Sequence, residues 1–126
     1  MPLVRIDLLE GKSPEYMTKL GDIVYQTLVD VVGVPERDRF QVISAHPRDG
    51  IYTDKSYLGI DRTDDCILVQ ITWNVGRSVE KKKEFYKELC ARMQKEVNLR
   101  PQDIVVNLVD VPKENWSFGN GIAQYV

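Results

Sequence analysis

The feature that most constrains this chain is its near-repetition of one pattern after 65 positions. Gly11-Lys12-Ser13-Pro14-Glu15 returns as Gly76-Arg77-Ser78-Val79-Glu80, in each case glycine, cation, helix-capping serine and an acidic first turn. An alternating apolar run precedes each copy: Val4, Ile6 and Leu8 before the first, Ile67, Val69, Ile71 and Trp73 before the second. A period of two marks a strand with one buried face. The period then changes to that of an amphipathic helix. Tyr16, Met17, Leu20, Ile23, Val24, Leu28, Val31 and Val32 form one stripe; Phe85, Tyr86, Leu89, Cys90, Met93 and Val97 form the other.

The ends of both helices obey local rules. Ser13 and Ser78 can accept a backbone hydrogen bond as N-caps, Pro14 suits the first helical position, and Glu15 and Glu80 complement the helix dipole. Gly33 and Asn98, 65 apart, are the residues that tolerate a left-handed C-cap. Phe40 to Ala45 and Ile104 to Val109 then read as closing strands, and Asp38 falls on Asp103. The reading is α+β: two tandem βαβ units, residues 2–45 and 66–110, joined by a turn-rich loop 46–65 with a short edge strand near Ile51 and Tyr52. Right-handed crossovers would place both helices on one face of a four-stranded mixed sheet. Leu3, Cys66 and Leu68 then lie on a face that two helices cannot cover, which predicts an oligomer. The tail 114–126, with Trp116 and Phe118 among glycines and a short strand Ile122 to Val126, predicts a C-terminal hairpin reaching over a neighbouring subunit.

With 126 residues, the chain has the size of a single domain. The net charge of −2 is spread over interleaved acidic and basic residues, which excludes a nucleic-acid or membrane-surface footprint. There is no apolar run near the ~20 residues that span a bilayer, and no basic start with an apolar centre, so a cytoplasmic protein is expected. Two cysteines without CxxC spacing, Cys66 and Cys90, fit reduced thiols. A single histidine, His46, gives no metal cluster, and no metal or cofactor is expected. GxGxxG, P-loop and GxSxG patterns are absent.

Catalysis therefore needs another source, and Pro2 offers one. Aminopeptidases remove an initiator methionine before proline, which leaves a free secondary amine at the head of the first strand. A proline there removes no ladder bond when its nitrogen faces away from the neighbouring strand. Model α-amino groups titrate near ~7.7–8.0, and surroundings move that value in either direction. A lowered amine is a general base and a raised one a general acid. The plain alternative is a proline that merely starts a strand.

Pro2 ahead of Leu8-Leu9-Glu10-Gly11-Lys12-Ser13 resembles the tautomerase superfamily, the family of 4-oxalocrotonate tautomerase and macrophage migration inhibitory factor. Gly33-Val34-Pro35-Glu36-Arg37-Asp38-Arg39 and Trp116-Ser117-Phe118-Gly119 resemble the malonate semialdehyde decarboxylase subgroup. The resemblance implies a homotrimer whose sheets surround a central axis, a small carboxylic acid substrate and Pro2 as the catalytic group. It further implies that Asp38 works with proline on substrate or water, that Arg77 binds the substrate carboxylate, and that Trp116 and Phe118 wall the pocket. Asn74, beside them, is a further candidate for substrate binding. The decarboxylase's second arginine is missing, because Asn74, Val75 and Gly76 precede Arg77; Lys12 and Phe40 stand where the tautomerase has its two. A monocarboxylic 2-oxo acid such as phenylpyruvate, tautomerised with Pro2 as base, is the function expected. Decarboxylation or hydration by protonated Pro2, and a non-catalytic trimer, are the alternatives.

Overall fold

A computed structural model describes residues 1–126. In chain order it contains β1 (Leu3–Leu9), α1 (Pro14–Thr27), β2 (Phe40–His46), β3 (Ile67–Asn74), α2 (Val79–Val97) and β4 (Ile104–Val111). The strands form one sheet in the order β2-β1-β3-β4. β1 runs parallel to β2 and antiparallel to β3, and β3 runs parallel to β4, so each repeat contributes a parallel pair and the two pairs meet antiparallel. The expected four-stranded mixed sheet of two βαβ units is what forms, and it remains open rather than closing into a barrel.

The caps act as their residue types dictate. Ser13 accepts from the backbone N–H of Tyr16 at 3.1 Å, and Ser78 from that of Lys81 at 3.1 Å. Gly33 and Asn98 end their helical segments with φ of 80° and 57°. Before Gly33 the helix widens into a π-helical turn, Leu28–Val32, directly after Thr27 donates its hydroxyl to the Ile23 carbonyl at 2.7 Å. Side-chain bonding of this kind competes with the regular ladder.

Both helices pack on the face bearing Val4, Ile6, Leu8, Ile67, Val69, Ile71 and Trp73, all essentially buried. Leu20, Ile23, Val24 and Leu28 from the first helical segment meet Phe85, Leu89 and Met93 from α2 above them. At about 1.5–3 kcal/mol for each fully buried large apolar side chain, this layer outweighs any difference in helix propensity. α1 approaches β2 closely at Gly21, where an added Cβ would lie 2.8 Å from both the Gln41 Oε1 and the Ile43 Cδ1. The opposite sheet face carries no helix, and on it Leu3, Phe40 and Val42 are 41%, 48% and 44% exposed.

Two expectations fail. Residues 51–54 form no edge strand, and 114–126 form no hairpin: a 3₁₀ turn at Lys113–Asn115 leads into successive turns with no strand at Ile122 to Val126. A strand needs an adjacent edge for its backbone, and this segment finds side-chain partners instead. Gln124 accepts from the Phe118 N–H and donates to the Gly119 carbonyl, both at 2.9 Å. The tail folds back on its own sheet, where Phe118 meets Phe40 with ring centroids 6.4 Å apart.

Candidate active site

The topology sets the start of β1 beside the end of β3. Leu3 pairs with Thr72 and also with Phe40, while Asn74 pairs with Val111. Pro2, the first residues of β2, the last of β3 and the tail leaving β4 therefore share one end of the sheet. All six candidate residues, Pro2, Asp38, Asn74, Arg77, Trp116 and Phe118, belong to segments that converge there.

Met1 and Pro2 are buried. The Met1 nitrogen lies 3.4 Å from Asp38 Oδ2. Asp38 and its repeat counterpart Asp103 differ sharply in employment. Asp103 is 1% exposed and saturated: it accepts from the Thr63 N–H and hydroxyl, both at 2.7 Å, and pairs with Arg100 at 3.3 Å. Asp103 holds a turn together, whereas the Asp38 carboxylate faces the amino terminus.

On the other side of this end, Arg77 stacks over the Trp73 ring at 4.6 Å from its centroid and donates from Nη1 to the Asn74 carbonyl at 2.7 Å. Its Nε–H is buried and has no partner. An unpartnered, shielded donor on a half-buried guanidinium is costly unless an anion completes it. Burial pushes the guanidinium below its ordinary value, while Asp110 and Tyr125 act in the opposite direction. Trp73 is itself fixed, donating its indole N–H to Asp110 at 2.6 Å, and Lys82 pairs with that carboxylate at 2.8 Å. The Lys82 ammonium, chiefly, holds the Asp110 carboxyl below its usual range.

Asn74 ties the two halves together. Its side-chain oxygen accepts the Trp116 indole N–H at 2.8 Å, and Trp116 stacks on Phe118 with centroids 5.6 Å apart and planes 13° apart. Phe118 continues the wall to Phe40 on one side and to Tyr125, edge-on at 5.1 Å, on the other. A continuous series of contacts thus runs from Arg77 through Asn74, Trp116 and Phe118 to Phe40, which neighbours Leu3. Asn74 reads from its contacts as the post that orients both the arginine and the indole.

Lys12 takes no part. It lies beyond the far end of β1, paired with Asp65 at 2.7 Å and over the Tyr16 ring. Tyr125, Trp73 and Asp110 surround Arg77 without belonging to any of the motifs that point to it. Trp73 and Asp110 carried a signal, since they occupy paired positions on β3 and β4 beside the arginine's turn; Tyr125 carried none.

The chain matches family models described as tautomerase enzyme over residues 38–119 and over residues 2–59. It is 36% identical to "Probable tautomerase YusQ" of Bacillus subtilis (strain 168), with 100% of this chain and 99% of that one aligned. It is 34% identical to "Probable tautomerase YrdN" of the same organism, covering 100% and 97%. Among solved structures, a malonate semialdehyde decarboxylase superposes with a TM-score of 0.91 at 32% identity, covering 98% of this chain and 95% of that one. A fused 4-OT symmetric trimer shares the fold, with a TM-score of 0.76 at 21% identity and coverage of 95% and 94%. The chain belongs to the tautomerase superfamily of enzymes, on the branch that resembles malonate semialdehyde decarboxylase.

Proposed function

We propose that this protein, once Met1 is removed, uses the Pro2 amine as a general base to tautomerise a small 2-oxo acid such as phenylpyruvate. The observation that carries the substrate class is the half-buried Arg77 with its unpartnered Nε–H, set beside an aromatic wall of Trp116 and Phe118. A planar guanidinium presents paired donors to a carboxylate, and the stacked rings suit an apolar or aromatic body. With Arg77 alone matching the family's pair of carboxylate-binding arginines, a monocarboxylate is matched better than a dicarboxylate.

In the reaction the Pro2 nitrogen accepts a proton from the enol oxygen or from the adjacent carbon, and the resulting prolinium returns it to the other atom. No bond other than those to the moving proton changes its connectivity. Asp38 orients the amine or a water. The aromatic wall excludes solvent, which strengthens the pull of Arg77 on the carboxylate.

A second reading is supported by the similarity to malonate semialdehyde decarboxylase and by the carboxylate of Asp38 beside the amino terminus. A carboxylate favours the charged amine and the Arg77 cation disfavours it, so their balance selects base or acid. The open sheet face, with Leu3, Phe40 and Val42 exposed, supports assembly as a trimer. Free Cys66 and Cys90 fit residence in the reducing cytoplasm.

The test is intact mass of untagged protein, followed by ¹⁵N titration of Pro2 and an assay of phenylpyruvate tautomerisation. Loss of Met1, a Pro2 pKa below 7 and turnover abolished by Pro2→Ala support the tautomerase. A Pro2 pKa near ~9 with turnover of a 3-oxo acid supports the decarboxylase. Retained Met1 or an inert Pro2 leaves a non-catalytic trimer.

A further inference from the structure

The internal repeat is deeper than its caps. Glu10 donates its N–H to the His46 carbonyl at 2.8 Å, and Val75, 65 positions later, donates to Val111 at 2.9 Å. Val34 to Leu28 and Leu99 to Met93 are a matched pair of the same spacing, at 3.2 and 3.3 Å. Even the 3₁₀ turns that follow β2 and β4 correspond, Arg48–Gly50 with Lys113–Asn115. Because β1 and β3 are antiparallel, the relation exchanges the two ends of the sheet. Whatever the Pro2 end builds, the other end has a counterpart of it.

That counterpart is a cavity of about 180 Å³. Shifted by 65 positions, Met1 falls on Cys66, Asn74 on Leu9, Trp116 on Ile51 and Phe118 on Thr53; all four of these partners line it. The remaining lining is particular to this end: Arg48, Tyr52, Lys55 and Asp64. Arg48 and Lys55 share the single carboxylate of Asp64, at 3.0 and 3.1 Å, so the rim keeps one uncompensated positive charge. Tyr52 stands 82% exposed beside it, an aromatic surface with nothing packed on top. No base is available here. Pro2 falls on Ile67, whose nitrogen is an internal peptide nitrogen, and Asp103, the counterpart of Asp38, is engaged by Thr63 and Arg100.

We propose that this cavity is a second ligand site, which takes a small apolar monocarboxylate without transforming it. The carboxylate meets Arg48 and Lys55, and the apolar body lies against Leu9, Ile51 and Tyr52. The size of the cavity restricts the ligand to one ring or a short chain, below the usual ~300 Å³ lower bound for drug-sized pockets. The choice of a carboxylate rests on the proposed function of the Pro2 end; the existence of the site rests on the cavity and its charges.

The test is a ¹⁹F NMR titration of the intact assembly, freed of Met1, with 4-fluorobenzoate. Two bound environments per chain are expected. Arg48→Glu weakens one by about tenfold or more and leaves the other and any Pro2-dependent turnover unchanged, since it reverses the charge that meets the carboxylate. Tyr52→Ala, which leaves the ion pairs intact, weakens the same environment. Arg77→Gln weakens only the other one. Absence of any bound environment that responds to Arg48→Glu and Tyr52→Ala overturns the proposal, whereas a single environment that responds to them and ignores Arg77→Gln supports it. Failure of Arg77→Gln to weaken either would count against the proposed function of the Pro2 end alone.

Discussion

At the level of single residues, the decisive contrast is between side chains with a full set of partners and those left with one to find. Asp103 has no capacity to spare; Asp38 and the Nε–H of Arg77 do. Replacing Arg77 with glutamine removes a charge-assisted interaction whose net loss is about 1.5–3 kcal/mol, so KM for a 2-oxo acid should rise about 10- to 100-fold while kcat changes less. Arg77→Lys should not restore it, because an ammonium supplies no fork and no flat face for Trp73. Asp38→Asn removes an anion beside the amino terminus. A neighbouring anion raises an amine's pKa by favouring its charged form, so the variant should titrate at lower pH, and the rising limb of kcat/KM against pH should move down with it. A limb that stays in place in Asp38→Asn would mean that the Pro2 nitrogen does not sense this carboxylate.

Among the elements, Gly21 is the position with least room. Gly21→Val would force a Cβ and two methyls against the side-chain ends of Gln41 and Ile43, which must shift and loosen the Gln41 bond to the Gly21 carbonyl, at a cost of about 1–3 kcal/mol. Urea denaturation at fixed protein concentration should show the lowered midpoint. Ser78→Ala should cost about 1 kcal/mol by leaving the Lys81 N–H without its acceptor. These helix ends were legible in the amino-acid sequence because a cap is decided within four residues: serine, glycine and asparagine at 13, 78, 33 and 98 have few other uses. The same holds for Val4, Ile6 and Leu8, whose alternation needs no distant information. The tail departs from the expected hairpin for the converse reason. Whether Ile122 to Val126 is a strand depends on an edge to pair with, and the Gln124 side chain supplies the hydrogen bonds instead. Pro2, Asp38 and Arg77 could be named from their motifs, but Tyr125 could not, since it reaches Phe118 only through the turns after Gly119.

For the whole molecule, the asymmetry of the sheet sets the question. One face buries a core under two helices, while the other presents Leu3, Phe40 and Val42 alongside Arg5 and a His46–Asp7 pair at 2.6 Å. Two βαβ units use up their helices on the first face, and the proposed assembly would cover the second with copies of the same chain. Phe40 already serves as a wall for Phe118, which couples that face to the Pro2 end. Val42 is the better probe because it pairs with Arg5 in register and touches none of the candidate site residues by any contact described above. Val42→Lys puts a second cation opposite Arg5 and an ammonium on an apolar face, both unfavourable in a packed interface and both tolerable in water. Sedimentation velocity should therefore show the variant dissociating at concentrations where the parent protein stays assembled, with helix content by circular dichroism unchanged. An assembly that survives Val42→Lys would place the subunit contact elsewhere and leave the open face to another partner.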